Sequence, residues 1–181
     1  MIKDLKELFG CVLGRSCSSD AKPEDPKKWH NEGISLMNKC CYEDAASCFD
    51  QAAQLDPMDA MAWNNQGICY LSLSRFEDAL ECIEKAIEID SDYAFYWYNK
   101  GICQDRQGHP KAAISSFDRA IELYPEYAEA WFNKAIAEES VGDKKAAIDA
   151  WRQYLKVAAK NKKQKEWLPR AMERLEDLER T

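Results

Sequence analysis

The residues of this chain best able to ligate a metal or act as nucleophiles are eight cysteines and two histidines, His30 and His109. Their spacing is unpromising for catalysis. No HExxH, CxxC, GxxxxGK or GxSxG arrangement occurs anywhere, so the usual spacings for zinc, phosphate and acyl-transfer chemistry are missing. His109 precedes Pro110 and reads as a turn residue, and neither histidine stands in a set of base, nucleophile and orienting group. We therefore assign no catalytic residue, no metal site and no cofactor, and read the chain as a non-enzyme. Cys11, Cys17 and the adjacent Cys40 and Cys41 keep redox sensing, metal capture or acylation open.

The body that must position any site is set by composition and charge. Among 181 residues, 46% are hydrophobic, as in ordinary folded proteins, and 25 Lys and Arg face 32 Asp and Glu, a net charge of -7. Residues 26–151 alone hold 12 basic against 22 acidic residues. A body of that sign argues against a nucleic-acid partner, whose affinity comes largely from phosphate neutralisation. The apolar runs are too short for a transmembrane segment and no signal peptide is recognisable, so a cytoplasmic location with free thiols is expected.

Laying the chain on itself reveals its period. Trp29, Trp63, Trp97 and Trp131 are each 34 residues apart. Four residues after each comes Gly33, Gly67, Gly101 or Ala135, and sixteen after each comes Ala45, Ala79, Ala113 or Ala147. Phe49, Ile83, Phe117 and Trp151 follow at a further shared offset, then Ala52, Ala86 and Ala120, with Tyr154 departing from the row. Apolar residues within a unit recur at helical spacing twice, and the breaks hold turn residues such as Gly108-His109-Pro110 and Gly142-Asp143. Each unit is thus a pair of helices whose small residues admit a large ring from the partner helix.

A 34-residue unit with Trp, Gly, Tyr or Leu (Tyr70, Leu36), Ala, Phe, Ala and Pro (Pro57, Pro125) in this order resembles the tetratricopeptide repeat. Four units cover about three quarters of the chain. The resemblance implies an all-α right-handed superhelix, with repeats at 26–59, 60–93, 94–127 and 128–161 and a cap at 162–181. In that cap Leu168, Met172, Leu175 and Leu178 form the apolar stripe. Residues 1–25 carry Ile2, Leu5, Leu8, Phe9, Val12 and Leu13 at helical spacing, followed by a Ser-rich tether. They could cap the first repeat, lie in the protein's own groove, or hold a partner or membrane surface. Departures from the family pattern are Glu32, Gln66, Lys100 and Lys134 where Leu is frequent, and Gln104 and Glu138 in place of an aromatic residue.

Family arrays line a concave groove with their first helices, and the implied groove here repeats Asn31, Asn65, Asn99 and Asn133, with Ile34, Ile68, Ile102 and Ile136 three residues later. Met61, Phe95, Tyr98 and Phe132 add apolar surface, and Lys27 and Arg106 are its main cations. Two roles are open for the asparagines. Their amides could pair with the main chain of an extended peptide, or they could join one repeat to the next. The partner implied is a protein segment with apolar or aromatic side chains. Some family members clamp a C-terminal carboxylate with Lys and Arg, but the comparable places read His30, Ile34, Asn65, Phe95 and Asn99, so no such clamp is expected. RNA binding and weak self-association through the N-terminal segment are the alternatives. The basic run Lys156, Lys160, Lys162, Lys163 and Lys165 reads either as an anionic docking patch or as a solvated helix end.

Four cysteines fall in small-residue slots of the repeat. Cys69 and Cys103 share a position with Ser35 and Ala137, and Cys48 and Cys82 share one with Ser116 and Ala150, which points to packing.

Overall fold

In the computed structural model, which describes residues 24–160 and 167–180, each tryptophan-anchored unit folds into two antiparallel helices. The first helices are α1 (Pro26–Asn38), α3 (Ala60–Ser72), α5 (Ala94–Arg106) and α7 (Ala128–Val141). The second are α2 (Tyr42–Leu55), α4 (Phe76–Ile89), α6 (Pro110–Leu123) and α8 (Lys144–Ala158), and α9 (Leu168–Arg180) follows. Each helix packs mainly on its neighbours in sequence, the pattern of an all-α solenoid. The apolar stripe at 2–13 and Lys162, Lys163 and Lys165 lie outside the described residues.

Three of the repeat helices, α1, α3 and α8, begin with a side-chain cap. Asp25, Asp59 and Asp143 accept a hydrogen bond at 3.0 Å from the main-chain N–H of Lys27, Ala62 and Ala146, closing donors that a helix start leaves open. Between the helices of a pair the chain turns through Cys40, Ser74, Gly108 and Gly142, all in the left-handed region at φ between 58° and 81°. Trp63, Trp97 and Trp131 each donate from Nε1 to a carbonyl six residues back, at 2.8 to 3.0 Å, pinning the turn between repeats.

Inside each unit the glycine row abuts the large row. A Cβ built on Gly33, Gly67 or Gly101 would stand 2.8 Å from Phe49, 2.7 Å from Ile83 or 2.5 Å from Phe117. These three side chains and the alanines around them are buried, so the first and second helices touch nearly backbone to side chain. The cysteine slots obey the same logic. Burial pushes the Cys69 thiol up to about 12 and those of Cys82 and Cys103 to about 11, so they remain protonated and inert at neutral pH.

Three of the polar residues standing at apolar family positions find partners across the helix pair. Lys100 meets Glu84 at 2.8 Å, Lys134 meets Asp118 at 2.5 Å, and Gln104 accepts from the Ser116 hydroxyl at 2.7 Å. In the fourth repeat the partner slot of that last pair is Ala150, which cannot donate. Glu138 is accordingly buried with Oε2 unpartnered, while Lys134 lies 3.5 Å from Oε1. Burial raises the Glu138 pKa, against the pull of Lys134. A carboxyl that holds its proton more tightly when folded favours folding at low pH. The benefit is full below the unfolded-state value and lost as pH rises through the folded one. We therefore expect Glu138→Gln to raise Tm at pH 8 while changing it little at pH 4, as thermal unfolding at the two pH values would show. An equal effect at both would mean that the carboxylate charge is not the cause.

The end of the array is closed by α9. Leu168, Leu175 and Leu178 pack on the cluster containing Trp151, Tyr154 and Ala158. Arg174 pairs with Glu139, and Arg152 with Glu179 at 2.7 Å. Met172, expected in the apolar stripe, is exposed, and Ala171 is buried in its stead. The row 168, 171, 175, 178 is the truer helical face, because position 172 is turned 100° from 171. Tyr154, which departs from the small-residue row, is buried between Phe132 and Trp151 and fills the space left where the repeats end.

Candidate functional site

The face formed by the first helices exposes a broken line of apolar side chains. Ile34 is 40% accessible, Met61 52%, Phe95 38% and Ile136 42%. Ile68 and Ile102 are half-buried between them, and Ile102 also packs on the cluster around Phe117. Phe95 stacks on Tyr98 at 6.3 Å between ring centroids, and Tyr98 leans on Tyr127 at 4.9 Å. At the C-terminal end, Phe132, Ile136 and Trp167 line a cleft of about 520 Å³ between α7 and α9, with Arg170 and Glu173 on its rim. Arg106 is exposed in the last turn of α5, whereas Lys27 is exposed in the first turn of α1, so the two cations do not converge.

The asparagines do something else. Asn65 Nδ2 lies 3.3 Å from His30 Nε2, Asn99 donates to Asn64 Oδ1 at 2.9 Å, and Asn133 donates to the Tyr98 hydroxyl at 3.0 Å. Each bond spans 35 residues, from one first helix to the preceding one. Asn99 is only 6% accessible, and Asn133 also donates to the Glu129 carbonyl. Of the two roles open for the asparagines, these bonds of Asn65, Asn99 and Asn133 are those that join one repeat to the next; of the four, only Asn31 is exposed. The reason is geometric. Neighbouring first helices approach closely enough for an amide to reach the residue one step earlier in the previous unit, and a buried amide must find a partner.

His30 supplies the first link of this relay and has a partner that spacing did not reveal. Its Nδ1 is 3.3 Å from Asp59 Oδ2, and the other oxygen of Asp59 caps α3. With Asp59 at Nδ1 and Asn65 at Nε2, α1 and α3 are joined through one ring. The signal was present in sequence as a polar residue 29 and 35 positions from His30, but residue type varies along that row. Truncating the most buried link should be expensive. Asn99→Ala leaves the Asn64 carbonyl unpaired in the interior, and we expect a loss of about 1–3 kcal/mol in chemical denaturation. A change below about 0.5 kcal/mol would show that water replaces the bond at no cost.

Among the described residues no group of three His, Cys, Asp or Glu side chains is placed to hold a metal ion. Among them too, no helix is long and apolar enough to cross a membrane. Cys40 is exposed at its turn and Cys41 is half-buried beside it. Lys160 pairs with Glu126 at 2.8 Å, and Lys156 is exposed.

Tetratricopeptide-repeat family models match residues 26–59, 60–93 and 98–162. No curated protein matches the chain significantly. The fold is similar to the crystal structure of MamA, at 22% identity and a TM-score of 0.75 over 79% of this chain and 84% of that one. It is also similar to YrrB, described as a TPR protein with an unusual peptide-binding site, at 21% identity and a TM-score of 0.66 over 86% and 87%. The first TPR of Spaghetti (RPAP3), bound to the HSP90 peptide SRMEEVD, matches at 17% identity and a TM-score of 0.64 over 67% and 96%. At these identities the likenesses speak to fold. The periodic Trp, Gly and Ala rows, the paired helices and the three family matches place this chain in the tetratricopeptide-repeat family.

Proposed function

We propose that this protein is a non-catalytic adaptor that binds a segment of another protein on the face of its first helices. The observation that carries the reading is the exposed apolar line Ile34, Met61, Phe95 and Ile136, extended by the cleft at Phe132 and Trp167. Large apolar side chains aligned on one face of a monomer mark an interaction surface, and aromatic anchors supply most of the energy of such contacts. Two structural neighbours, YrrB and RPAP3, are described with a peptide-binding site or a bound peptide, which supports a peptide-like ligand.

The ligand differs in chemistry from an acidic tail. Lys27 and Arg106 sit at opposite ends of their helices, so these two cations do not pair to hold a carboxylate. Apolar and aromatic side chains are the complement of this face. Peptide display against the intact protein tests the reading: we expect binders rich in Leu, Ile, Phe or Trp, displaced by one another. Enrichment of acidic or basic sequences without apolar anchors would contradict it.

A further inference from the structure

The amides that would hold an extended peptide are engaged inside the protein. Asn65, Asn99 and Asn133 each bond to the preceding first helix. An extended segment laid on this face would lose water from its own N–H and C=O groups and find few replacements. A helix arrives with its main chain already satisfied and offers side chains alone, which suits a face of isoleucine, methionine and aromatic rings.

The chain carries such a segment. Ile2, Leu5, Leu8, Phe9, Val12 and Leu13 recur at helical spacing, with Lys3 and Lys6 balanced by Asp4 and Glu7. A helix from Ile2 to Leu13 would be about 17 Å long. That is comparable with two helix spacings of about 8–10 Å each. The place where the chain joins the array is also suitable. Asp25, the N-cap of α1, lies in the same repeat row as Asp59 and Tyr93, the N-caps of α3 and α5. The exposed Met61 and Phe95 stand two residues beyond those caps, at the same edge. The eleven residues 14–24 reach at most about 40 Å when extended, roughly twice what is needed to pass from α1 to α5.

We infer that residues 1–13 dock as an amphipathic helix on this face of the same molecule, over Met61, Ile68 and Phe95, and compete there with the partner segment. This rests on the first-helix face being the ligand surface. The segment is thus a built-in competitor that sets the affinity threshold a partner must exceed.

The test uses the full chain and a full-chain Leu5→Glu/Leu8→Glu variant, with both changes outside the repeats. The probe is a synthetic peptide of residues 1–13. Amides 2–13 should exchange with deuterium at least 10-fold more slowly in the parent than in the variant, at every protein concentration. The probe should bind the variant at least 10-fold more tightly than the parent, shifting the Ile68 methyl signal. Equal exchange in both proteins overturns the inference, as does protection that grows with concentration, which would assign the contact to a second copy. If a display-selected peptide shifts the same methyl equally in parent and variant, the ligand face stands and only the internal competitor fails. If no peptide shifts any first-helix methyl, the underlying reading fails as well.

Discussion

Gly101→Ala should destabilise the protein by about 1–2 kcal/mol, yet stabilise it by about 1 kcal/mol once Phe117 has been replaced by Ala. In the parent, the new methyl would stand 2.5 Å and 2.6 Å from two carbons of the Phe117 ring, and the ring is fully buried with no space to retreat. Overpacking of this kind costs about 1–3 kcal/mol. It outweighs the gain of roughly 1 kcal/mol from replacing a mid-helix glycine by alanine. Phe117→Ala alone should cost about 3–5 kcal/mol, since it empties a site walled by Ala113 and Ala137. With the ring gone the clash is gone, and the helix-propensity gain is left uncovered. Denaturant unfolding of the four proteins gives the coupling directly. If Gly101→Ala had the same effect in both backgrounds, close approach at the glycine row would not be what fixes the pairing of helices. Phe117→Leu provides the same contrast should the Ala variant unfold.

Phe95→Asp with Ile136→Asp should weaken binding of a display-selected apolar peptide at least 30-fold, about 2 kcal/mol, while shifting Tm by only a few degrees. Both side chains are substantially accessible, and neither belongs to the buried clusters that hold the repeats together. Ile102 is a poorer choice because it also packs against the Phe117 cluster, so its loss would mix stability with binding. The two positions lie on adjacent first helices, and an apolar ligand crossing both would have to desolvate two carboxylates. Isothermal titration together with thermal unfolding separates the two effects. A large fall in Tm with unchanged affinity would assign these residues to the fold and move the ligand elsewhere.

Much of the architecture was legible because the period is written in residue size. Trp, Gly and Phe at fixed offsets are constrained by contact between paired helices, so Gly33, Gly67 and Gly101 announce their partners Phe49, Ile83 and Phe117. The apolar row of the candidate face was legible for the same reason: a 34-residue period places Ile34, Ile68, Ile102 and Ile136 at one position of successive first helices. The amides were harder. Periodicity places Asn65, Asn99 and Asn133 on that face but says nothing of what lies one position earlier in the previous repeat. There His30, Asn64 and Tyr98 share hydrogen-bonding capacity rather than residue type. The same blindness hid the carboxylate of Asp59 behind its role as a helix cap. In α9 the larger Met172 concealed Ala171, because size guided the reading where angle decides burial.

These features make a division of labour within the first helices. Trp, Gly and Ala hold each pair together, the asparagine relay joins successive pairs, and the exposed Ile34, Met61, Phe95 and Ile136 are, under the proposed function, the positions left for a ligand. Under that proposal, specificity rests on which repeat presents Met61, which presents Phe95 and which opens the cleft beside Trp167.

The isoleucine methyl spectrum during titration with a display-selected peptide is the most direct test. If the first-helix face is the ligand surface, the signals of Ile34, Ile68, Ile102 and Ile136 shift together. Those of the second-helix residues Ile87, Ile114 and Ile148 stay in place. Shifts confined to the second-helix set, with the first-helix signals unmoved, would contradict the account.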